Sequence, residues 1–419
     1  MSATWRPLRG ETWERRAVTA LGDLATAVAG AEPAGPGLAA GAEGMALFLA
    51  YYAEAEGDER AEARAAELLE RACAARGETS PGPDLFAGLT GTAWAVEHLA
   101  PADDDEDDPN ERVDERLAAL LDSPAWSGPY DLVSGLCGIG VYALERLPSA
   151  SAATCLERVV THLERRSEPA DVGRTWHTPP EHLPPAQRAM EPDGYYNLGM
   201  AHGVPGVVGL LSRAALAGVA KTRALSLLED AVSWLLSRKL AGADAVYGPW
   251  WSASAPAEPT RTAWCYGDLG VASAVWAAAR ATGERCWERE AIELAVLAAR
   301  RPEARSGVQD AGLCHGAFGL AHQFLRLYHA TGEDELARAA SAWIDRGLAM
   351  RQPGHGVAGF LRTRPDGAAA PDPGFLEGAA GIGLALLSAL TELDPAWDAL
   401  LLTDVAPCEL AASRAAPRW

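Results

Sequence analysis

Trp264-Cys265-Tyr266-Gly267-Asp268-Leu269-Gly270 and Leu313-Cys314-His315-Gly316-Ala317-Phe318-Gly319 share one frame, and that frame decides the fold. In each stretch a cysteine stands two residues before a Gly-x-x-Gly that opens an apolar, helix-like run. The frame recurs seven times along the chain, at Gly41/Gly44, Gly88/Gly91, Gly135/Gly138, Gly203/Gly206, Gly267/Gly270, Gly316/Gly319 and Gly378/Gly381. Successive copies are roughly 47 to 68 residues apart, long for a solenoid repeat but suited to a helical hairpin with loops.

Between the glycine motifs lie charged segments with apolar residues at helical spacing: Glu11 to Ala29, Asp58 to Arg76, Asn110 to Leu121, Ala220 to Leu240, Glu284 to Arg300 and Asp334 to Met350. Strand-like alternation is scarce. A helix that is apolar on all faces must be buried, and an amphipathic one can cover it. Glycines at the start of the buried helix permit the turn and a close backbone approach. These features predict an all-α fold, an α/α toroid made as a double ring of seven inner and seven outer helices. All seven glycine turns then lie at one end of the inner ring. A solenoid of helical hairpins is the alternative, but it needs polar capping units and the last unit is as apolar as the others. Residues 1–419 read as a single toroid domain.

Two gaps between motifs are longer than their neighbours. Glu168 to Asn197 is a Pro-rich extension containing Trp176-His177-Thr178-Pro179-Pro180. Gly242 to Arg261 contains Tyr247-Gly248-Pro249-Trp250-Trp251. Loops of this length in compact domains are often functional. Their aromatic residues have two readings, gripping a peptide or packing against the ring. The acidic stretch Asp103 to Asp108 reads as a solvated loop.

The chain has 419 residues, 48% hydrophobic and 22% charged, an ordinary globular balance. Its net charge of −21 argues against nucleic acid and against an anionic membrane as partner. No apolar run of about 18 residues and no apolar leader is present, so there is no transmembrane segment and a cytoplasmic protein is expected. Seven cysteines, an odd number, fit reduced thiols better than a disulfide framework.

When the units are aligned on their first glycine, the residue before it is Ala40, Ala87, Ser134, His202, Tyr266, His315 or Glu377. Two before it stand Ala39, Phe86, Val133, Ala201, Cys265, Cys314 and Leu376, and four before it Asp84 and Asp131 are acidic. Polar residues gather in units three to seven, and equivalent positions of a ring face a common space. Free cysteines are often small core residues. Two in the same slot of consecutive units, with a histidine beside one, point instead to a metal. Cys265, Cys314 and His315 form a soft donor set suited to zinc with one position open. His202 shares its slot with His315 and suits an acid or base role, against a structural place at a helix start. Asp131 reads either as its orienting partner or as a helix cap. Arg261, four residues before Cys265, reads as a charge for a developing oxyanion or as a surface ion pair. His322, two turns along its helix from His315, reads as a packing residue or as a support for the site from behind, and Cys137 reads as structural.

The motifs Gly199-x-x-His202-Gly203-x-x-Gly206, Trp264-Cys265-Tyr266-Gly267 and Cys314-His315-Gly316, with the seven Gly-x-x-Gly turns, closely resemble the lanthionine synthetase C-like family of lanthipeptide cyclases. The resemblance covers nearly the whole chain, and the Pro-rich stretch is similar to that family's small strand-containing extension. It implies an α/α toroid with Zn2+ at one mouth, matching Cys265, Cys314 and His315 to the ligands. It matches His202 and Asp131 to the proposed catalytic pair, and Arg261 and Tyr266 to further active-site positions. The implied reaction is Michael-type addition of a peptide cysteine to a dehydroalanine or dehydrobutyrine, giving a thioether ring. The implied partners are a dehydrated precursor peptide, a separate dehydratase and an exporter. Two other readings share the site: addition of a small thiol such as glutathione, and a non-catalytic zinc scaffold. Zinc-dependent prenyltransferases rank below these, because they use an Asp among their ligands.

Overall fold

The computed structural model describes residues 5–10, 12–78, 82–100, 108–241, 245–254 and 258–405. Amphipathic segments form the outer helices α1 (Glu14–Ala29), α3 (Glu59–Glu78), α5 (Glu111–Leu121), α7 (Ala150–Arg166), α10 (Lys221–Leu236), α12 (Arg285–Arg300) and α14 (Asp334–Ala349). The run after each glycine pair forms an inner helix: α2 (Ala42–Glu56), α4 (Leu89–Leu99), α6 (Leu136–Glu145), α9 (Val204–Leu216), α11 (Asp268–Thr282), α13 (Ala317–Thr331) and α15 (Ala379–Leu390). The two classes differ as their sequences require. Helix α12 buries only Ala291, Leu294, Ala295 and Ala298, one stripe at helical spacing, whereas α15 is buried from Ala379 to Ala389.

The seven turns are tied into a closed belt of backbone hydrogen bonds. The N–H of Ala39 donates to Phe86 O (3.1 Å), Phe86 to Val133 O (3.4 Å), Leu132 to Ala201 O (3.2 Å), and Ala201 to Cys265 O (3.4 Å). Trp264 then donates to Cys314 O (3.2 Å), Cys314 to Leu376 O (2.7 Å), and Leu376 back to Ala39 O (2.9 Å). The residues two before each first glycine thus follow one another round a circle, and α15 packs against α2. This closure is the α/α toroid and excludes the solenoid, whose end units never meet. Each turn satisfies polar backbone groups of its neighbour in a place that water would otherwise have to reach.

The seven outer helices expected from the sequence are present, and α7 joins the six segments singled out there. Most inner helices form a hairpin with the outer helix that follows, as α2 and α3 do across residues 57–58, rather than with the one before. Helix α1, which precedes every inner helix, covers the last one, α15, and Trp5 Nε1 donates to Ser388 O there at 2.8 Å. The strands lie in the loops and are all two-residue antiparallel pairs. In the Pro-rich extension β1 (Glu168–Pro169) pairs with β2 (Arg174–Thr175), followed by the short helix α8 (Pro185–Met190). Strand β3 (Tyr196–Asn197) pairs with β4 (Trp250–Trp251), so the two long loops are joined to each other. Glu191, nearly fully buried, fastens them further by accepting from Trp250 Nε1 (3.0 Å), Ser252 Oγ (2.9 Å) and Ser254 Oγ (2.6 Å). A third loop, between α14 and α15, carries the hairpin of β5 (Arg362–Thr363) and β6 (Ala369–Ala370).

The aromatic residues of the long loops pack against the rest of the protein, Trp250 on Tyr195 and Trp251 on Tyr196 and Arg238. Trp176 and Tyr247 are fully buried, with Trp176 Nε1 donating to Leu163 O at 2.8 Å, while Trp250 and Trp251 stay half-buried. Among the described residues no helix is long and apolar enough to cross a membrane. Residues 103–107, 242–244 and Cys408 lie outside the described set.

Candidate metal centre and its surroundings

Belt neighbours five and six bring Cys265, Cys314 and His315 together. One donor atom from each lies within 4.8 Å of the others, and this is the one such group found among the described residues. Gly267, with φ 128°, turns the chain from Tyr266 into α11 through a conformation that side chains disfavour. Gly199 lets turn four approach turn five: a Cβ there would stand 2.3 Å from Cys265 O and 2.6 Å from the Tyr266 ring.

The electrostatics suit anionic sulfur. A hydrogen bond from the Cys314 thiol, opposed by burial and helped by His315 and Arg261, holds the Cys265 thiol well below its ordinary range. The same shared bond, with burial, pushes Cys314 well above it, so the two thiols titrate as a pair that shares one negative charge. Arg261 Nη2 lies 3.7 Å from Cys265 Sγ, so its charge faces the cluster. His315 Nδ1 is buried and has no hydrogen-bond partner among the described residues. Two thiols and an imidazole with a vacant ring nitrogen are a donor set that fits zinc.

Beside this cluster the structure joins His202 to Asp131. His202 Nδ1–H donates to Asp131 Oδ2 at 2.6 Å, while Asp131 Oδ1 accepts the Ser134 N–H at 2.7 Å. Asp131 is therefore not the helix cap, since Gly135 holds that place with no side-chain cap; one oxygen ties the turn and the other fixes the imidazole. Burial works against the His202 imidazolium, but the bond to Asp131 and its charge outweigh it, so the pKa is raised above the ordinary histidine value. With Nδ1 engaged, Nε2 is the free nitrogen. Tyr266 lies next to it, ring centroids 6.4 Å apart, and burial raises its phenol so that it stays protonated at neutral pH.

Asp131, His202, Tyr266 and Asn197 line one side of a solvent-open cleft of about 200 Å³. Thr178, His182, Leu183 and Gln187 of the extension line the other. On the opposite flank, Cys314 hydrogen-bonds turn seven, where Glu377 accepts from Arg362 Nη1 of β5 at 2.6 Å. His322 and Cys137 are buried, and His322 Nε2 pairs with Asp398 Oδ2 at 2.7 Å.

Sequence reasoning missed Asn197. Its Nδ2 donates to Tyr266 Oη at 3.1 Å and its Oδ1 accepts the Gly199 N–H at 2.9 Å. The signal was present as an Asx-x-Gly step six residues before the first glycine in units four, six and seven. Asp310 and Asp372 make the same bond to Gly312 (3.1 Å) and Gly374 (2.7 Å). In unit four asparagine replaces aspartate, which adds the donor that reaches Tyr266.

Comparison with known proteins agrees with this arrangement. A family model described as lanthionine synthetase C-like protein matches residues 32–402. Among solved structures, nisin cyclase superposes with a TM-score of 0.72 at 17% identity, covering 94% of this chain and 98% of that one, a likeness of fold. Among curated proteins, "Glutathione S-transferase LANCL1" of Danio rerio is 28% identical over 148 residues. That match spans 35% of this chain and about a third (34%) of the relative's length.

Proposed function

The chain belongs to the lanthionine synthetase C-like family, and from that premise we propose that it is a zinc-dependent lanthipeptide cyclase. The observation that carries the proposal is the meeting of Cys265, Cys314 and His315 beside the His202–Asp131 pair at one open mouth. Cys265, Cys314 and His315 would hold the zinc, whose positive charge favours the thiolate of a substrate cysteine whose free pKa is near 8.5.

The remaining steps fall to side chains of this chain. The cleft between the ring and the extension receives the dehydrated peptide, with its dehydroalanine or dehydrobutyrine beside Tyr266 and His202. The substrate sulfur bonds to the β-carbon, and the electron pair of the C=C bond moves to give an enolate. Asn197 donates to the Tyr266 oxygen, so the phenolic hydrogen is free to point at the enolate oxygen. Arg261 adds positive charge on the cysteine side. His202 then gives its Nε2 proton to the α-carbon, while Asp131 holds the ring and steadies its charge. Sulfur and hydrogen add across the double bond with no change of redox state. A dehydratase must act first, because the peptide's serines and threonines have no electrophilic alkene.

The second reading, addition of a small thiol such as glutathione to dehydrated residues, has in its favour the partial likeness to the glutathione S-transferase LANCL1. One experiment separates them. The purified protein is incubated with a dehydrated, cysteine-containing peptide, with and without glutathione, and free thiols and mass are followed. The cyclase reading expects loss of the peptide thiol at unchanged mass without added glutathione; glutathione adducts alone overturn it. Cys314→Ala is expected to lose bound zinc by metal analysis and to lose ring formation. Full zinc retention in that variant would overturn the ligand assignment.

A further inference from the structure

The catalytic reading leaves several buried charged groups without a task, and one of them reaches the units that carry the proposed ligands. Asp398 lies in the 3-10 helix Ala396–Leu401, beyond the last inner helix, and is completely enclosed. It accepts from His322 Nε2 (2.7 Å) and from Arg326 Nε (2.5 Å) and Nη2 (2.8 Å), both on α13. Arg326 Nη2 also donates to Pro395 O at 3.0 Å. Helix α13 is the one whose N-terminal turn carries Cys314 and His315.

The rest of the segment reaches the other units that carry reactive residues. Trp264, the residue before Cys265, donates its indole N–H to Leu401 O at 2.8 Å. Trp397 is fully buried and meets Phe375 of turn seven edge-on, centroids 5.8 Å apart. Leu402 fills the space beside Gly209 of α9, where a Cβ would stand 3.4 Å from that of Leu402, and Arg213 of α9 pairs with Asp404. The segment therefore touches units four, five, six and seven, which bear His202, Cys265 with Tyr266, Cys314 with His315, and Glu377. Leu400, Leu401 and Leu402 are buried with it.

We propose that the segment Pro395–Val405 is a positioning element of the metal centre, with Asp398 and the Leu401 carbonyl fixing the two turns that carry the ligands. Three donors from two separate turns bind one ion well only if the turns keep one spacing and tilt. The belt contributes only backbone bonds at the rim. The segment supplies the second point of attachment, since Asp398 grips α13 through two side chains and Leu401 holds Trp264 one residue from Cys265.

The proposal rests on Cys265, Cys314 and His315 being zinc ligands, and the test separates the two ideas. Zinc affinity is measured by chelator competition for wild type, Asp398→Asn, Trp264→Phe and Glu43→Gln, and each protein's cobalt(II) form is examined for its thiolate-to-metal absorption. Glu43 is the control. It is a fully buried carboxylate on α2, 2.9 Å from Arg76, and its unit does not border units five or six in the belt. Asp398→Asn is expected to bind zinc about tenfold more weakly or worse, with an altered cobalt spectrum, while Glu43→Gln melts earlier but keeps affinity and spectrum. Equal affinity and spectrum in Asp398→Asn and wild type overturn the positioning role. If Asp398→Asn does not fold, Trp264→Phe decides: it loses the bond to Leu401 O together with part of the indole's bulk, and weaker zinc binding with an altered cobalt spectrum supports the role while unchanged binding overturns it. Failure of wild type itself to bind zinc would instead sink the ligand assignment.

Discussion

At the scale of single residues, the pair with the clearest consequence is His202 and Asp131. Asp131 is the cause that raises the His202 pKa against burial. A raised histidine pKa contributes stability that is complete below the unfolded value and is lost as pH rises through the folded value. The same shift keeps the proposed acid charged to higher pH. Asp131→Asn should therefore lower the His202 pKa, seen by NMR titration, and move the alkaline limb of the cyclisation rate to lower pH. An unchanged limb would remove His202 from the role of acid. The Cys265, Cys314 and His315 cluster, proposed as zinc ligands, and His202 were legible in sequence because they share slots in a repeat. Asn197 was legible only as an Asx-x-Gly step, and its reach to Tyr266 depends on how turns four and five meet. Asp398 could not be read as a partner of His322, since 76 residues separate them and neither lies in a motif.

At the scale of elements, the glycines show how the repeat makes a ring. The second glycine of each motif sits under a backbone carbonyl of its own turn, closest at Gly319, where a Cβ would stand 1.7 Å from Leu313 O. Gly319→Ala should therefore destabilise by about 3 kcal/mol or more, because backbone rather than a flexible side chain must move. It should also weaken zinc binding, since the displaced carbonyl is next to Cys314. Gly22, within α1, has nothing within 4 Å of a Cβ, and Gly22→Ala should stabilise by about 0.5–1 kcal/mol. Urea unfolding of the two variants checks both signs. Helix type and approximate bounds followed from hydrophobic pattern alone. The pairing of helices did not, because an amphipathic stripe says that a helix covers something without saying which neighbour it covers.

At the scale of the whole molecule, the proposed zinc would join turns five and six across the belt and so should stabilise the ring as well as act in it. Ligand linkage gives about 4 kcal/mol at a thousandfold excess of free zinc over its Kd. Chelation should accordingly lower Tm by several degrees, with recovery on adding zinc, and Cys314→Ala should show no such response. A Tm that stays fixed while zinc is stripped would mean that the ion binds without bracing the ring. The sequence by itself determined the seven-unit repeat, the helical class, the inner and outer character of the segments, and the residues that share a slot. These are local properties, written in glycine spacing and in hydrophobic period. Only the tertiary structure decided that the circle closes, that α1 covers α15, that the two long loops pair through β3 and β4, and that a segment after the last repeat touches units four to seven. Each of those depends on contacts between residues far apart in the chain, whose partners no local pattern names.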